Sequence, residues 1–438
     1  MSQRFDLVIL GAGAAGLMAA IAAAESGASV LLAEKNRRPG VKILMSGGTR
    51  CNLTNARGLR DLRVISGPID PAYDPREARG ARSIQQAFGE NGKFLGPALK
   101  AFSVEESVAF FEREGVPTKV EGNGKVFPVS DRATDVLSAL TSRLERSGAT
   151  LRTLCPASEV RAIDDGFNVA LPDGPVEAAK VMVATGGLSF PGSGTTGDGY
   201  AIARAFGHTI VPTRPSLVPL TLGPSWVKSL SGLTLPDAGV GVRSRSGLVL
   251  DDRREALLFA HFGLTGPAVL DVSRSVARWD ADDPLDLVLD FLPDANAEKL
   301  DASIRDEARK GKRPAAGLVP PSIPRRLVDE ILRAAGIPEG RLGPDLSRDE
   351  RRGLVAQLKG MALPITGTLG YAKAEVTSGG VALDEVDPKT LESRRRPGLY
   401  FIGEVLDLDG RIGGYNFQGA WSMGILAGRV AASRDGCS

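Results

Sequence analysis

Residues 5–34, FDLVILGAGAAGLMAAIAAAESGASVLLAE, constrain the fold more than any other stretch of the chain. Phe5–Leu10 is short and apolar, with β-branched Val8 and Ile9, the composition of a buried strand. Gly11-Ala12-Gly13-Ala14-Ala15-Gly16 comes next, then a run of strong helix formers that Gly27 stops, then a second apolar run ending on Glu34. Strand, glycine turn, helix, strand and terminal acid in this order predict a parallel βαβ unit that binds a dinucleotide.

Each position has a physical task. Gly11 permits the turn, Gly13 lets backbone approach a pyrophosphate, and Gly16 lets the helix sit close to the sheet. Ala14 and Ala15 belong to the first helical turn, whose free N–H groups and dipole favour an anion. Glu34 accepts from ribose hydroxyls and disfavours a 2′-phosphate, so FAD or NAD is expected over NADP; Lys35 beside it joins the cofactor set.

A flavin dinucleotide is long, and three further stretches fit grips along it. The first contains Lys42, Ser46, Gly47, Gly48 and Asn52; the second is a strand-like run ending in Ala184, Thr185, Gly186 and Gly187; the third is another ending in Gly403 and Glu404. The last leads to Gly413 and Gly414, then Tyr415, Asn416 and a helix-like run that keeps Gly419, Gly424 and Gly428. Glycine inside a helix costs about 1 kcal/mol relative to alanine, so close backbone approach is expected there. The helix start would face a flavin carbonyl that gathers negative charge on reduction, while Ala420, Gly424 and Gly428 form one face suited to packing on helix 14–24.

Gly192-Ser193-Gly194-Thr195-Thr196-Gly197 also reads GxGxxG, but no second strand ending in an acid comes after it. It reads as a flexible loop at a domain boundary, without a second dinucleotide unit.

At 438 residues two or three domains are expected, and 42% hydrophobic with 24% charged residues is ordinary for a globular protein. The formal charge is +2 and basic clusters such as 309–313 are short, so no strong nucleic-acid stripe is predicted. Cys51, Cys155 and Cys437 are widely spaced, which argues for a reducing compartment; with only His208 and His261 besides, no metal-ligand spacing is seen. No integral membrane segment or signal peptide is legible, and a cytoplasmic location is expected. The residues fix no oligomeric state.

Several blocks in order, among them GAGAAGLMAA, KILMSGGTRCNLTN, GKVFPVSDRATDVL, ATGGLSFPGSGTTGDGYAIARAFGH, HFGLTGPAVL, EVTSGGV and GLYFIGEVLDLDGRIGGYNFQGAWSMGILAG, resemble the BaiN/RdsA-type (aminoacetone-oxidase-type) NAD(P)/FAD-dependent oxidoreductases of bacteria. The resemblance implies an α/β fold: a glutathione-reductase-like FAD-binding Rossmann domain formed by both chain ends, with an inserted β-barrel-like plus helical domain. The expected boundaries are 1–191 and 366–438 for the FAD domain and 192–365 for the insert, β-rich over 210–292 and helical over 295–360. Thr49 stands where that family usually has a third glycine, and Ala260 where a threonine is common.

The resemblance also implies FAD as cofactor, NAD(P)H as electron donor and hydride transfer to an activated C=C, in an enone or in a uridine of ribosomal RNA. Alternatives are amine oxidation or a flavin-bearing RNA-binding protein with vestigial chemistry, for which 309–313 and Arg325-Arg326 are the motive. Alkene reduction needs a proton donor, and the candidates are Cys51, Tyr200, His261, Tyr371 and Tyr415. Arg50 reads as ion-paired or as a contact to phosphate or a flavin carbonyl, and Asp198 and Glu404 as orienting backbone or ribityl hydroxyls. Nucleophile-elbow, Walker A and zinc patterns do not occur.

Overall fold

Strand Arg4–Leu10 pairs in parallel with Val30–Ala33 on one side and Val176–Val183 on the other, joined by helix Ala14–Glu25. Leu7, Val8 and Ile9 are wholly buried, as a strand covered on both faces must be. The described residues of this computed structural model are 3–280 and 282–433; Cys437 lies outside them. The sheet has seven strands: Thr150–Arg152 extends it in parallel beyond Val30–Ala33, and Leu399–Phe401 from the other end of the chain pairs in parallel with Val176–Val183. Glu159–Ile163 and Gly166–Ala170 complete it as an antiparallel hairpin.

Helix Ala14–Glu25 is apolar all round, because it lies between this sheet and the C-terminal helix Tyr415–Ala432. The expected small face is what lets the two helices touch. A Cβ on Gly424 would lie 2.5 Å from the Ala15 carbonyl oxygen, and one on Gly428 2.4 Å from that of Ala19. In the same unit Ser103 and Glu106 form a reciprocal capping box, and Asn123-Gly124 turns the antiparallel hairpin of Thr118–Val120 with Lys125–Pro128.

The second compact unit, Pro215–Glu375, contains a closed barrel. Its six antiparallel strands run in spatial order Leu220–Leu222, Gly263–Thr265, Val249–Ala260, Thr234–Ser244, Leu285–Asp290 and Met361–Thr368, the last pairing with the first. Leu285, Leu287 and Leu289 point inward at period two. Helices Ala297–Arg309, Arg325–Ala334 and Arg348–Gly360 share the barrel's core through Leu300, Ile304, Leu327, Ile331, Leu354 and Leu358, and Ser347 with Glu350 caps the last.

Among the described residues the first unit comprises 3–214 and 376–433, so it runs past the boundary expected at 191, whereas at the other boundary the second unit runs past 365 to Glu375. The physical reason is helix Asp198–Ala205, which packs on the parallel sheet: a Cβ on Gly199 would meet Thr185 Oγ1 at 2.3 Å and Val183 at 2.9 Å. At the other side Met361–Thr368 is a barrel strand. Among the described residues, no helix is long and apolar enough to cross a membrane.

Candidate cofactor site

Strand register brings the glycine stretches to one edge of the sheet. Leu10 is level with Ala33 and with Val183, and Val183 with Phe401, so Gly11, Glu34, Ala184 and Gly403 all lie at the carboxyl ends of neighbouring strands. In open α/β sheets this is where ligands bind.

Gly11 has φ +100, and a Cβ there would sit 2.7 Å from the Ala184 carbonyl oxygen, so only glycine makes the turn. Gly13 caps the helix in extended conformation and faces open space; Gly16 packs on the Gly11 carbonyl. Buried Glu34 accepts from Ala12 N–H and Asn36 N–H, both at 2.8 Å, which aims its carboxylate and leaves about half of its four lone-pair positions for hydroxyl donors. Thr185 Oγ1 is buried without a hydrogen-bond partner among the described residues. A backbone cradle and a fixed acid on one edge fit a dinucleotide.

Beside Ser46, Gly47 and Gly48 adopt left-handed geometry, and exposed Thr49 comes next with φ +70, rare for a β-branched residue. A glycine, which the resemblance implies at that position, would adopt this backbone without strain. Lys42 Nζ donates to Ser189 Oγ at 2.7 Å and Glu404 Oε2 at 2.8 Å, while Glu404 Oε1 accepts from Thr377 N at 3.0 Å. Leu188 N and Ser189 N donate to Thr377 Oγ1, at 2.8 and 3.0 Å, and the Thr377 hydroxyl packs against Gly187. Gly403 approaches Ala15, and Gly186 packs on Thr195.

Gly414, φ +88, is the N-cap of the 18-residue C-terminal helix. With its amide oriented to satisfy its neighbours, Asn52 donates to Thr54 O at 2.9 Å and accepts from Gly414 N at 2.9 Å. Asn55 Nδ2 donates to Gly413 O at 3.0 Å. Fully buried Gln418 accepts from Thr54 Oγ1 at 2.7 Å and donates to Ser107 Oγ at 2.8 Å and Ser422 Oγ at 2.9 Å; Trp421 Nε1 donates to Leu53 O at 3.0 Å. This satisfied network fixes where the helix starts. Gln418 carried no sequence signal, because one polar residue in an apolar helix has no periodicity, and Thr54 and Asn55 form a two-residue strand too short to show one. Asn416 clamps its own loop, bonding Gly410 N at 2.7 Å and Gly410 O at 3.0 Å.

The candidate proton donors separate. Cys51 is wholly buried and its thiol is pushed up to about 12 by burial, so it is a poor acid and a poor nucleophile. Tyr200 is buried in helix Asp198–Ala205, its hydroxyl close to Gly187. Tyr415 is buried at the helix start with a partner sequence reading missed: Arg57, which bonds Glu77 at 2.7 Å, also reaches Tyr415. Burial pushes neighbouring Tyr73 up to about 12. His261 is exposed in the turn between two barrel strands, against Phe262, and Tyr371 is half-buried in a turn of the same unit. Arg50 is ion-paired, with Glu121 at 2.6 Å, and stacks over Phe127 at 3.9 Å.

Two expectations change. Asp198 bonds Lys35 Nζ at 2.6 Å and Thr196 at 2.8 Å, so it orients side chains of its own fold, and the 192–197 loop read as flexible is tied down by these contacts. In the basic stretch 309–313, Lys310 and Arg313 share the single carboxylate of Glu307, and Arg325 pairs with Asp329, with all three cations largely exposed. His208 Nε2 meets Ser393 Oγ at 2.7 Å and Nδ1 lies 3.0 Å from Glu385, a hydrolase-like trio. Ser393 Oγ accepts from Arg395 N at 3.0 Å and Arg396 N at 2.9 Å, so it is a buried turn and no nucleophile.

The HI0933-like protein Rossmann domain family model matches residues 5–65 and 77–430. The chain is 36% identical over 427 residues to a ribosomal RNA dihydrouridine synthase of Escherichia coli, covering 96% of each chain. It is 33% identical to a 3-dehydro-bile acid delta(4,6)-reductase of Clostridium scindens, covering 97% of this chain and 98% of the relative. Among solved structures, 3-ketosteroid-delta4-(5alpha)-dehydrogenase from Rhodococcus jostii RHA1 aligns with TM-score 0.55 at 16% identity, over 99% of this chain and 97% of that one, a likeness of fold. With the fold and the family match in agreement, the chain belongs to the HI0933-like, BaiN/RdsA-type flavoproteins and is an FAD-dependent oxidoreductase.

Proposed function

We propose that the protein uses NAD(P)H to reduce an activated C=C, in a conjugated enone or in a uridine of ribosomal RNA. The observation that carries this reading is the Gly413-Gly414 turn, locked by Asn52 and Asn55 at the head of an 18-residue helix. Its free N–H groups and dipole would steady negative charge on the cofactor's pyrimidine side, a preorganised electrostatic effect that favours the reduced state. Gly11, Gly13, Ala14, Ala15 and Gly16 would hold the pyrophosphate and Glu34 the ribose. FAD, when bound, supplies hydride transfer from its N5 position. Tyr415, buried beside Arg57, is the side chain of the candidate set best placed to give a proton near that turn.

The names of both relatives describe saturation of a C=C conjugated to a carbonyl, which supports the reaction class. The test is anaerobic: NAD(P)H bleaches the flavin, and an enone or a uridine-bearing ribosomal RNA restores its colour. Recovery with dioxygen alone would replace this reading by the oxidase one. Dihydrouridine content of ribosomal RNA with and without the gene separates the two acceptors.

A further inference from the structure

We propose that residues 192–198, the second GxGxxG stretch, form a clasp that retains the dinucleotide, with Lys35 and Asn36 as its catches; this rests on the FAD reading. Sheet order carries the inference. The strand Arg4–Leu10, which ends at the Gly11 turn, lies between Val30–Ala33 and Val176–Val183. The loop is tied to residues just past the ends of both flanking strands. On one side Asn36 Nδ2 donates to Ser193 O at 2.9 Å, and Lys35 Nζ donates to Thr196 Oγ1 at 2.5 Å and Asp198 Oδ2 at 2.6 Å. On the other, Thr195 Oγ1 donates to Ser189 O, and Thr195 Cγ2 lies 2.8 Å from where a Cβ on Gly186 would be. A segment anchored at both flanks spans the mouth of the strand between them, where the crevice opens.

The catches suit a closure that opens. Side-chain exposure is 26% for Lys35 and 44% for Asp198, so their ion pair is screened by water and salt, unlike the buried ties of the C-terminal helix. The clasp thus governs how slowly the cofactor leaves, and has little part in how it is first recognised.

The test measures FAD release on dilution of the holoprotein, by recovery of flavin fluorescence, for Asn36→Ala and Asp198→Ala. Each loss of a catch is expected to speed release by about two- to tenfold with association little changed, the range of a partly exposed ion pair and of a part-buried hydrogen bond. Raising salt should speed release from the wild type and leave Asp198→Ala nearly unaffected. Unchanged release in both variants, or association slowed as much as release is quickened, overturns the clasp. Should either variant fail to fold, backbone hydrogen exchange of 192–198 in the wild type gives the answer: protection that rises with FAD supports the clasp, and protection indifferent to FAD refutes it. A wild type that binds no FAD at all fails the cofactor reading itself.

Discussion

Gly414 and Thr54 lie so close that a Cβ on Gly414 would sit 2.4 Å from the Thr54 carbonyl oxygen. That distance ties a loop from the first seventh of the chain to the head of its last helix. Gly414→Ala must move backbone as well as bear left-handed geometry, which alone costs about 1–2 kcal/mol. The expected result is a protein destabilised by at least about 2 kcal/mol in urea that purifies with less flavin per chain. A variant with wild-type stability and flavin content would refute this account of the turn.

Thr49 gives the opposite sign. Its left-handed φ of +70 costs about 1–2 kcal/mol, whereas glycine adds back about 0.4–1 kcal/mol of unfolded-state entropy. Its side chain is exposed and, among the described residues, bonds the Gly48 carbonyl, at 2.6 Å. Thr49→Gly should therefore stabilise the protein, by up to about 1 kcal/mol, as a higher urea midpoint at unchanged slope.

Two helical glycines should also diverge. Gly353 has only ordinary contacts, the nearest atom at 3.4 Å from a new Cβ, so Gly353→Ala gains the usual helix propensity of about 0.5–1 kcal/mol. Gly424→Ala gains the same propensity but drives a methyl to 2.5 Å from the Ala15 carbonyl oxygen; overpacking costs about 1–3 kcal/mol and wins. Thermal melts of the two variants should shift in opposite directions.

Cys51→Ala tests the thiol. A general acid contributes about 10²–10⁴-fold, so if Cys51 were the donor turnover would fall by that factor. With the thiol pushed up to about 12 and wholly buried, the expected loss is far smaller, and native protein should resist thiol reagents at this position.

Stability should fall with acid in two steps. Burial, opposed by Glu385, holds His208 below its ordinary 6.5, so the unfolded chain binds that proton more readily and stability is lost as pH falls through about 6.5. Arg395, with help from Thr209, lowers Glu385 from 4.5 to about 2, so its contribution is present above 4.5 and disappears as pH falls towards about 2. His208→Gln should flatten the first step in urea titrations from pH 7.5 to 5.5 while leaving the second. The groups facing His208 are Glu385, Arg395, Ser393 and the Phe401 ring.

What the sequence by itself determined is local: the strand, glycine turn, helix and acid at 5–34, the capping boxes at Ser103 and Ser347, the hairpin at Asn123-Gly124 and the period-two barrel strands all depend on neighbours within a few residues. The small face of the C-terminal helix was also legible, because helical spacing is written in the chain. Only the tertiary structure decided that Asn52, Thr54, Asn55 and Gln418 set that helix's start, that Lys35 catches a loop some 160 residues away, and that Lys310 and Arg313 share the carboxylate of Glu307. Polar side chains gain their meaning from partners brought in by folding, and burial changes what an ionisable group can do; neither is encoded in the spacing of residues along the chain.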